Sequence, residues 1–264
     1  MGDRVKDKVV VVTGAGRGLG QSVALAYARQ GAQVIAVSRT QSELDRTAAM
    51  VEAGGEQVLT MSLDLSQEDQ VQQMADWILS KFGRLDVLVN NAGRLPLKSF
   101  EDMTMDDWDR TLAVNLRAPV LACKLFLQTM KEQGRGSIIN VSSTAAVKEF
   151  ELETDYCASK FGLEGFSRSL ALEVKKYNIA VNTITPGGRT GGVRIKPTSM
   201  TQADFDTLSE EERAKWHDSI VLTEAFVFLA LQDGSGVTGE RVYAYDLSEQ
   251  IRREGWNIEY VSGR

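Results

Sequence analysis

The sequence predicts an α/β protein whose parallel sheet is doubly wound, with helices covering both faces. Short unbroken runs of Val, Ile and Leu alternate with segments of helical period along most of the 264 residues. The runs lack the polar–apolar alternation of a strand with one wet face, so both faces of each strand are expected to be buried. The segments between them are long enough for the crossover helices that parallel strands need. Right-handed crossovers then leave the doubly wound arrangement.

In chain order, Val9–Gly14 (VVVVTG) reads as a buried strand and the Ala-rich Gly20–Gln30 as a helix. Val34–Ser38 is the second strand, followed by a helix over Glu43–Ala53. Val58–Asp64 is the third, followed by a helix over Gln67–Phe82. Leu85–Gly93 is a fourth strand that runs into a turn of small residues. Asp106–Gln133 reads as one long helical stretch, Gly136–Ser143 as a strand, Asp155–Tyr177 as a helix and Ile179–Gly187 as a strand. The alternation stops between Arg189 and Ser219, a polar, turn-rich excursion. Residues 1–264 are expected to form one domain, with 188–220 covering a substrate and 240–264 as a divergent tail.

Hydrophobic residues make up 43% and charged residues 25% of the chain, an ordinary globular balance. A net charge of -6 disfavours a nucleic-acid binder, which usually carries a basic face. The N-terminal MGDRVKDKVVVV has an apolar run far too short to span a bilayer and no small-residue cleavage site. Cys123 and Cys157 lie far apart without a CxxC, which suits buried thiols in a reducing compartment better than a disulfide or zinc site. A soluble cytoplasmic protein without a metal centre is the expectation. The single histidine, His217, sits in a charged, helix-like stretch and is expected at the surface. There is no GxSxG elbow for a Ser–His hydrolase and no GxxxxGK[ST] phosphate loop.

The first strand is followed by Thr13-Gly14-Ala15-Gly16-Arg17-Gly18-Leu19-Gly20. A strict GxGxxG would need glycine where Leu19 stands. The physical requirements survive: glycines allow positive φ and close approach to a pyrophosphate, and the next helix offers its unpaired N–H groups. Nucleotide binding is expected here.

The order and spacing of further motifs resemble the short-chain dehydrogenase/reductase family. TGAGRGLG is similar to its TGxxxGxG turn, Asn90-Asn91-Ala92-Gly93 to its NNAG, and Tyr156–Lys160 to its YxxxK. Asn115 lies in the long helix after NNAG. Ser143 is chosen over its neighbour Ser142 because the family places its serine thirteen residues before the tyrosine. The resemblance implies a Rossmann-type fold and hydride exchange between a nicotinamide cofactor and a carbonyl/alcohol pair. It implies a catalytic set of Asn115, Ser143, Tyr156 and Lys160: Tyr156 as general acid/base, Lys160 on the nicotinamide ribose, Ser143 on the substrate oxygen and Asn115 positioning a water. A phenol titrates near pH ~10, too high for a neutral relay, and an ammonium one helical turn away is expected to lower it. A sensor or scaffold without turnover would have no need of such a relay.

The resemblance also implies cofactor contacts from Gly14, Gly16, Arg17, Gly18, Leu19 and Gly20, from Ser38 and Arg39, and from Asp64 and Leu65. Asn91, Ala92 and Gly93, then Tyr156 and Lys160, then Pro186, Gly187 and Arg189 complete the expected set. The second strand ends in Val37-Ser38-Arg39-Thr40, without the carboxylate that would hold the 2′-hydroxyl of NAD. Glu43, the nearest one, has capping-box spacing from Thr40. Arg17 and Arg39 suit a 2′-phosphate, so NADP(H) is expected.

Three features depart from the family. Thr190 falls one position before the usual threonine in Gly188–Gly192. Arg189, Arg194 and Lys196 cluster there, as attractants for an anionic substrate or as a solvated loop. The tail after Thr238-Gly239 lacks the usual glycine pair, and its Trp256 and Tyr260 are expected to pack on something, such as a neighbouring subunit. The family usually pairs the long helix and the YxxxK helix with their copies, which implies a homodimer or homotetramer.

Overall fold

The computed structural model describes residues 3–190, 193–196 and 205–260. The elements in chain order are β1 (Val9–Thr13), α1 (Gly18–Arg29), β2 (Gln33–Ser38), α2 (Gln41–Glu52), β3 (Val58–Ser62) and α3 (Glu68–Phe82). Next come β4 (Val87–Asn90), α4 (Met105–Leu112), a π-helical turn over Ala113–Arg117, α5 (Ala118–Gln133), β5 (Gly136–Val141), α6 (Thr154–Val174) and β6 (Ile179–Thr185). The chain finishes with β7 (Arg194–Ile195), α7 (Glu210–Ala214), β8 (Trp216–His217), α8 (Thr223–Ala230), β9 (Arg241–Tyr243) and α9 (Ala244–Glu254).

Seven parallel strands form one sheet in the order β3-β2-β1-β4-β5-β6-β9, and β7 pairs with β8 separately. The order reverses between β1 and β4, which opens a crevice at their C-terminal ends. All residues of β1, β4, β5 and β6 are buried, as continuous apolar runs require. One core joins Tyr27, Leu44 and Phe226 over one face, and a second joins Met74, Phe126 and Met130 over the other. Burying each such side chain contributes about 1.5–3 kcal/mol. The Tyr27 phenol donates to the Phe226 carbonyl at 2.8 Å, so its buried hydroxyl is satisfied.

A buried polar chain fixes the strands against α6. Asn90 Nδ2 donates to Asn140 Oδ1 at 2.8 Å, and Asn140 Nδ2 donates to Ser167 Oγ at 2.8 Å. Low dielectric makes such bonds costly to leave unmade, so they tie β4, β5 and α6 into one alignment.

The expected helical stretch over Asp106–Gln133 is continuous, but its α-helical pattern is interrupted by a π-turn. Pro119 has no N–H to close the α-helical bond to the Asn115 carbonyl four residues back. The chain widens into the π-turn, where Ala118 N–H bonds the Ala113 carbonyl. The tail is also more regular than expected. It adds a seventh strand, and Trp256, Ile258 and Tyr260 pack against the chain's own core. Arg4 stacks 4.2 Å from the Trp256 ring, so the tail's aromatic partner is its own N-terminal segment. His217 is half-buried in β8, 5.2 Å from the Tyr245 ring, and not on a helix. Among the described residues no helix is long and apolar enough to cross a membrane.

Candidate active site

The crevice between β1 and β4 is a cleft of about 400 Å³. It is lined by Gly14, Arg17, Gly18, Leu19 and Gly20 from the glycine turn, Ser38 at the end of β2 and Arg39 just after it, Asp64 and Leu65 after β3, and Asn91, Ala92 and Gly93 after β4. Twelve of the residues expected to hold a cofactor are thus brought together. Gly14 has φ 67°, and a Cβ there would lie 2.8 Å from Asn91 Nδ2 and 2.9 Å from Ala92 Cα. A Cβ on Gly20 would strike the Gly14 carbonyl and the Asn91 amide. The turn therefore needs glycine to lie flat against the β4 loop and leave the cleft open at the α1 N-terminus. That fits a dinucleotide phosphate.

Thr13 and Asn91 lock this arrangement. Thr13 Oγ1 accepts from Asn91 N at 2.9 Å and Ala92 N at 3.0 Å, while Asn91 Nδ2 donates to the Thr13 carbonyl at 2.7 Å. The Asn91 amide thus braces the turn, although the residue also lines the cleft.

Gly16 packs between Ser38 and Glu43, where a Cβ would lie 2.9 Å from Ser38 Oγ and 2.8 Å from Glu43 Cβ. The expected capping box does not form. Thr40 is the N-cap of α2 but makes no side-chain cap bond. The Glu43 side chain instead turns to the glycine turn, and its Oε1 lies 3.7 Å from Arg17 Nε. Glu43 is mostly buried and lines the cleft, so a carboxylate does stand in this corner. Arg39 is exposed and keeps its guanidinium free of any ion pair among the described residues.

Ser143, Tyr156 and Lys160 meet at the C-terminal end of β5. The Ser143 hydroxyl accepts from Ala145 N at 3.1 Å, capping the short turn Thr144–Ala146, and it lies close enough to the Tyr156 phenol to lower its pKa. The cap is therefore present, and the same hydroxyl is left beside the phenol. Lys160 is buried and its Nζ donates to the Val141 carbonyl at 2.8 Å, 5.5 Å from the Tyr156 ring centroid. Burial pulls Lys160 down to about 8, against the raising influence of Glu164. Tyr156 corrects the expectation of a lowered phenol. Burial raises it above its ordinary value, the Ser143 hydroxyl lowers it, and Glu153 and Cys157 raise it.

Asn115 is fully buried in the π-turn. Its Oδ1 accepts from Arg94 N at 2.8 Å, and its Nδ2 donates to the Arg94 carbonyl at 2.9 Å and Ser159 Oγ at 3.1 Å. The side chain is spent holding the β4 loop against α6. Pro119 removes the α-helical donor of its main-chain carbonyl.

Pro186, Gly187 and Arg189 lie outside the cleft lining, beyond β6. Gly187 has φ 95°, and its carbonyl accepts from Tyr245 N at 3.2 Å. Arg189 N donates to Asp246 Oδ2 at 2.8 Å, and its guanidinium stands 5.5 Å from the Tyr243 ring centroid. Lys196 Nζ lies 3.7 Å from the Phe205 ring centroid. Gly191, Gly192 and the side chain of Arg194 lie outside the described residues.

Sequence reasoning missed three functional-site neighbours. Thr13 precedes a glycine turn, where a hydroxyl carries no distinctive signal. Glu43 carried one, but local helix capping explained it. Arg241 opens a three-residue strand whose Arg-Val-Tyr has no apolar run to mark it.

Residues 8–202 match the model of the short chain dehydrogenase family. A D-threitol dehydrogenase of Mycolicibacterium smegmatis is 39% identical over 183 residues, 69% of this chain and 70% of the relative. A metagenomic short-chain oxidoreductase solved in complex with NADP has a TM-score of 0.76 at 29% identity, covering 91% of this chain and 98% of that one. Carveol dehydrogenase from Mycobacterium avium, solved in complex with NAD, has a TM-score of 0.78 at 26% identity, covering 91% of this chain and 96% of that one.

Proposed function

This chain belongs to the short-chain dehydrogenase/reductase family of oxidoreductases, and within it we propose an NADP(H)-dependent enzyme interconverting a carbonyl and a secondary alcohol. The observation that carries the reading is the meeting of Ser143, Tyr156 and Lys160 at the end of β5. When bound, the nicotinamide supplies or accepts the hydride. In reduction Tyr156 gives its phenolic proton to the substrate oxygen, and in oxidation it takes that proton back. Burial keeps the phenol protonated at neutral pH, which suits the acid role. The Ser143 hydroxyl holds the same oxygen beside the phenol. Lys160 presents its ammonium to the ribose side, and the Asn115 carbonyl receives the water that reloads the proton.

The glycine turn, Asp64, Leu65 and the Asn91–Gly93 loop hold the dinucleotide. Arg39 and Ser38 take the 2′-phosphate, a charge-assisted contact for which a planar guanidinium is suited. Arg17 joins them by leaving Glu43. Solved relatives bind NADP in one case and NAD in another, and the absence of a carboxylate at the end of β2 favours NADP. Segment 188–220, of which 191–192 and 197–204 lie outside the described residues, covers the substrate, and the divergent tail's described residues 240–260 pack onto the domain.

The enzyme works in the cytoplasm as a homodimer or homotetramer. Phe161 and Leu172 stand exposed on α6, the helix through which relatives of this form pair, and sedimentation at micromolar concentration tests the assembly. The reaction is tested with purified protein, NADPH or NADH, and ketones, aldehydes, ketoacyl thioesters and sugars as substrates.

A further inference from the structure

Where the tail departs from the family pattern, it brings a charge to the back of the proposed site. β9 begins with Arg241, opposite Thr183 of β6. Its side chain is only 16% exposed, and arginine is seldom so deep without partners. Arg241 Nε and Nη2 donate to Thr185 Oγ1 at 3.2 and 3.1 Å. Nη2 also donates to the main-chain carbonyl of Ser143 and lies 3.5 Å from Glu164 Oε1. Glu164 is itself buried; its Oε2 accepts from Thr183 Oγ1 at 3.0 Å, while its Oε1 makes no hydrogen bond. Glu164 follows Lys160 by four residues, one turn along α6, so the two share a helix face.

We propose that Arg241 and Glu164 are a positioning pair for the reaction, Arg241 holding the main chain of Ser143 and Glu164 placing its charge one turn along α6 from Lys160. The proposal rests on the function proposed above.

A buried ion pair is weak evidence of a stabilising role, because desolvation offsets its attraction. An apolar pair of similar volume would brace β9 against α6 as well. It would not hold the Ser143 carbonyl, and it would place no charge near Lys160. Lys160 lies against the Tyr156 ring of its own helix and the Val141 carbonyl of β5, and Glu164, one turn along the same helix face, acts on it through its charge at longer range. Glu164 is the charge among them that opposes burial. Glu153 and Cys157 act on Tyr156. With Glu164 neutral, Lys160 loses its proton at a lower pH, and the ammonium weakens around neutrality.

The test compares wild type with Glu164→Gln, Arg241→Lys and the double variant Arg241→Met/Glu164→Gln, which removes both charges so that neither is left buried alone. Lysine-selective NMR of the enzyme without substrate follows the Lys160 titration, and turnover against pH is measured in parallel. The expected result is a Lys160 midpoint about one unit lower in Glu164→Gln, as loss of a nearby opposite charge implies. The alkaline limb of the reduction profile should move with it. The double variant should remain folded with turnover down about ten-fold or more, as a slightly misplaced group implies. Arg241→Lys should recover part of that loss. A Lys160 midpoint and turnover unchanged in folded variants would overturn the pair. If Lys160 shifts while wild type turns over no substrate, the charge arm of the pair stands and the proposed reaction fails instead.

Discussion

Lys160 donates from Nζ to the Val141 carbonyl at 2.8 Å while that nitrogen stands 5.5 Å from the Tyr156 ring centroid. One bond from the end of β5 therefore fixes the ammonium beside the phenol, and both belong to adjacent turns of α6. The arrangement has consequences for stability as well as for chemistry.

Burial holds Lys160 at about 8, below its ordinary value of 10.5. Between those values the unfolded chain keeps a proton that the folded chain has released, so this group makes stability rise with pH across that window. Below about 8 the folded state carries the full desolvation cost. Lys160→Met removes that cost but leaves the Val141 carbonyl without its donor, for a net gain on the order of 1 kcal/mol. Denaturant unfolding at pH 7 should find the variant more stable, with the gain shrinking from pH 8 to 10.5. Turnover should fall in the same variant. A uniform loss of stability at every pH would contradict the assignment.

Gly14 tests the cofactor cleft. Its φ of 67° and the close Asn91 and Ala92 neighbours leave no space for a side chain. Gly14→Ala should weaken dinucleotide binding at least ten-fold, since the β4 loop must shift about an ångström to admit the methyl. Cofactor fluorescence titration of the folded variant measures this, and wild-type affinity would remove the cleft from the account.

Arg39 and Glu43 act in opposite directions on cofactor choice. Arg39→Asp should weaken NADPH far more than NADH, because it replaces the guanidinium with a repelling carboxylate. Glu43→Gln should tighten NADPH by about ten-fold, since Arg17 is then released from its 3.7 Å contact and no anion faces the phosphate. NADH affinity should change little in that variant. Competitive titration of both nucleotides reads the effect, and a wild type that prefers NADH would contradict the assignment.

The central sheet was legible because β1, β2, β4, β5 and β6 are apolar runs whose chemistry is local. The glycine turn, Asn91 and the Tyr156–Lys160 pair were legible because their spacing is itself the geometry. The π-turn at Asn115 was not, since its cause lies four residues on, at Pro119. Nor was the raised Tyr156 phenol: residue spacing reveals a nearby lysine but not how deeply the helix is buried. Arg241 and Glu164 lie 77 positions apart in the chain and meet only through the β6–β9 register. Glu43 followed the competing contact, with local capping losing to Arg17.

The most direct measurement of the central claim compares wild type and Tyr156→Phe for NADPH oxidation on carbonyl substrates, with NADPH affinity determined for both. Wild type should show measurable turnover and the variant a loss of about 10²–10⁴-fold, with NADPH affinity preserved. Turnover near the wild-type rate in folded Tyr156→Phe would contradict that claim.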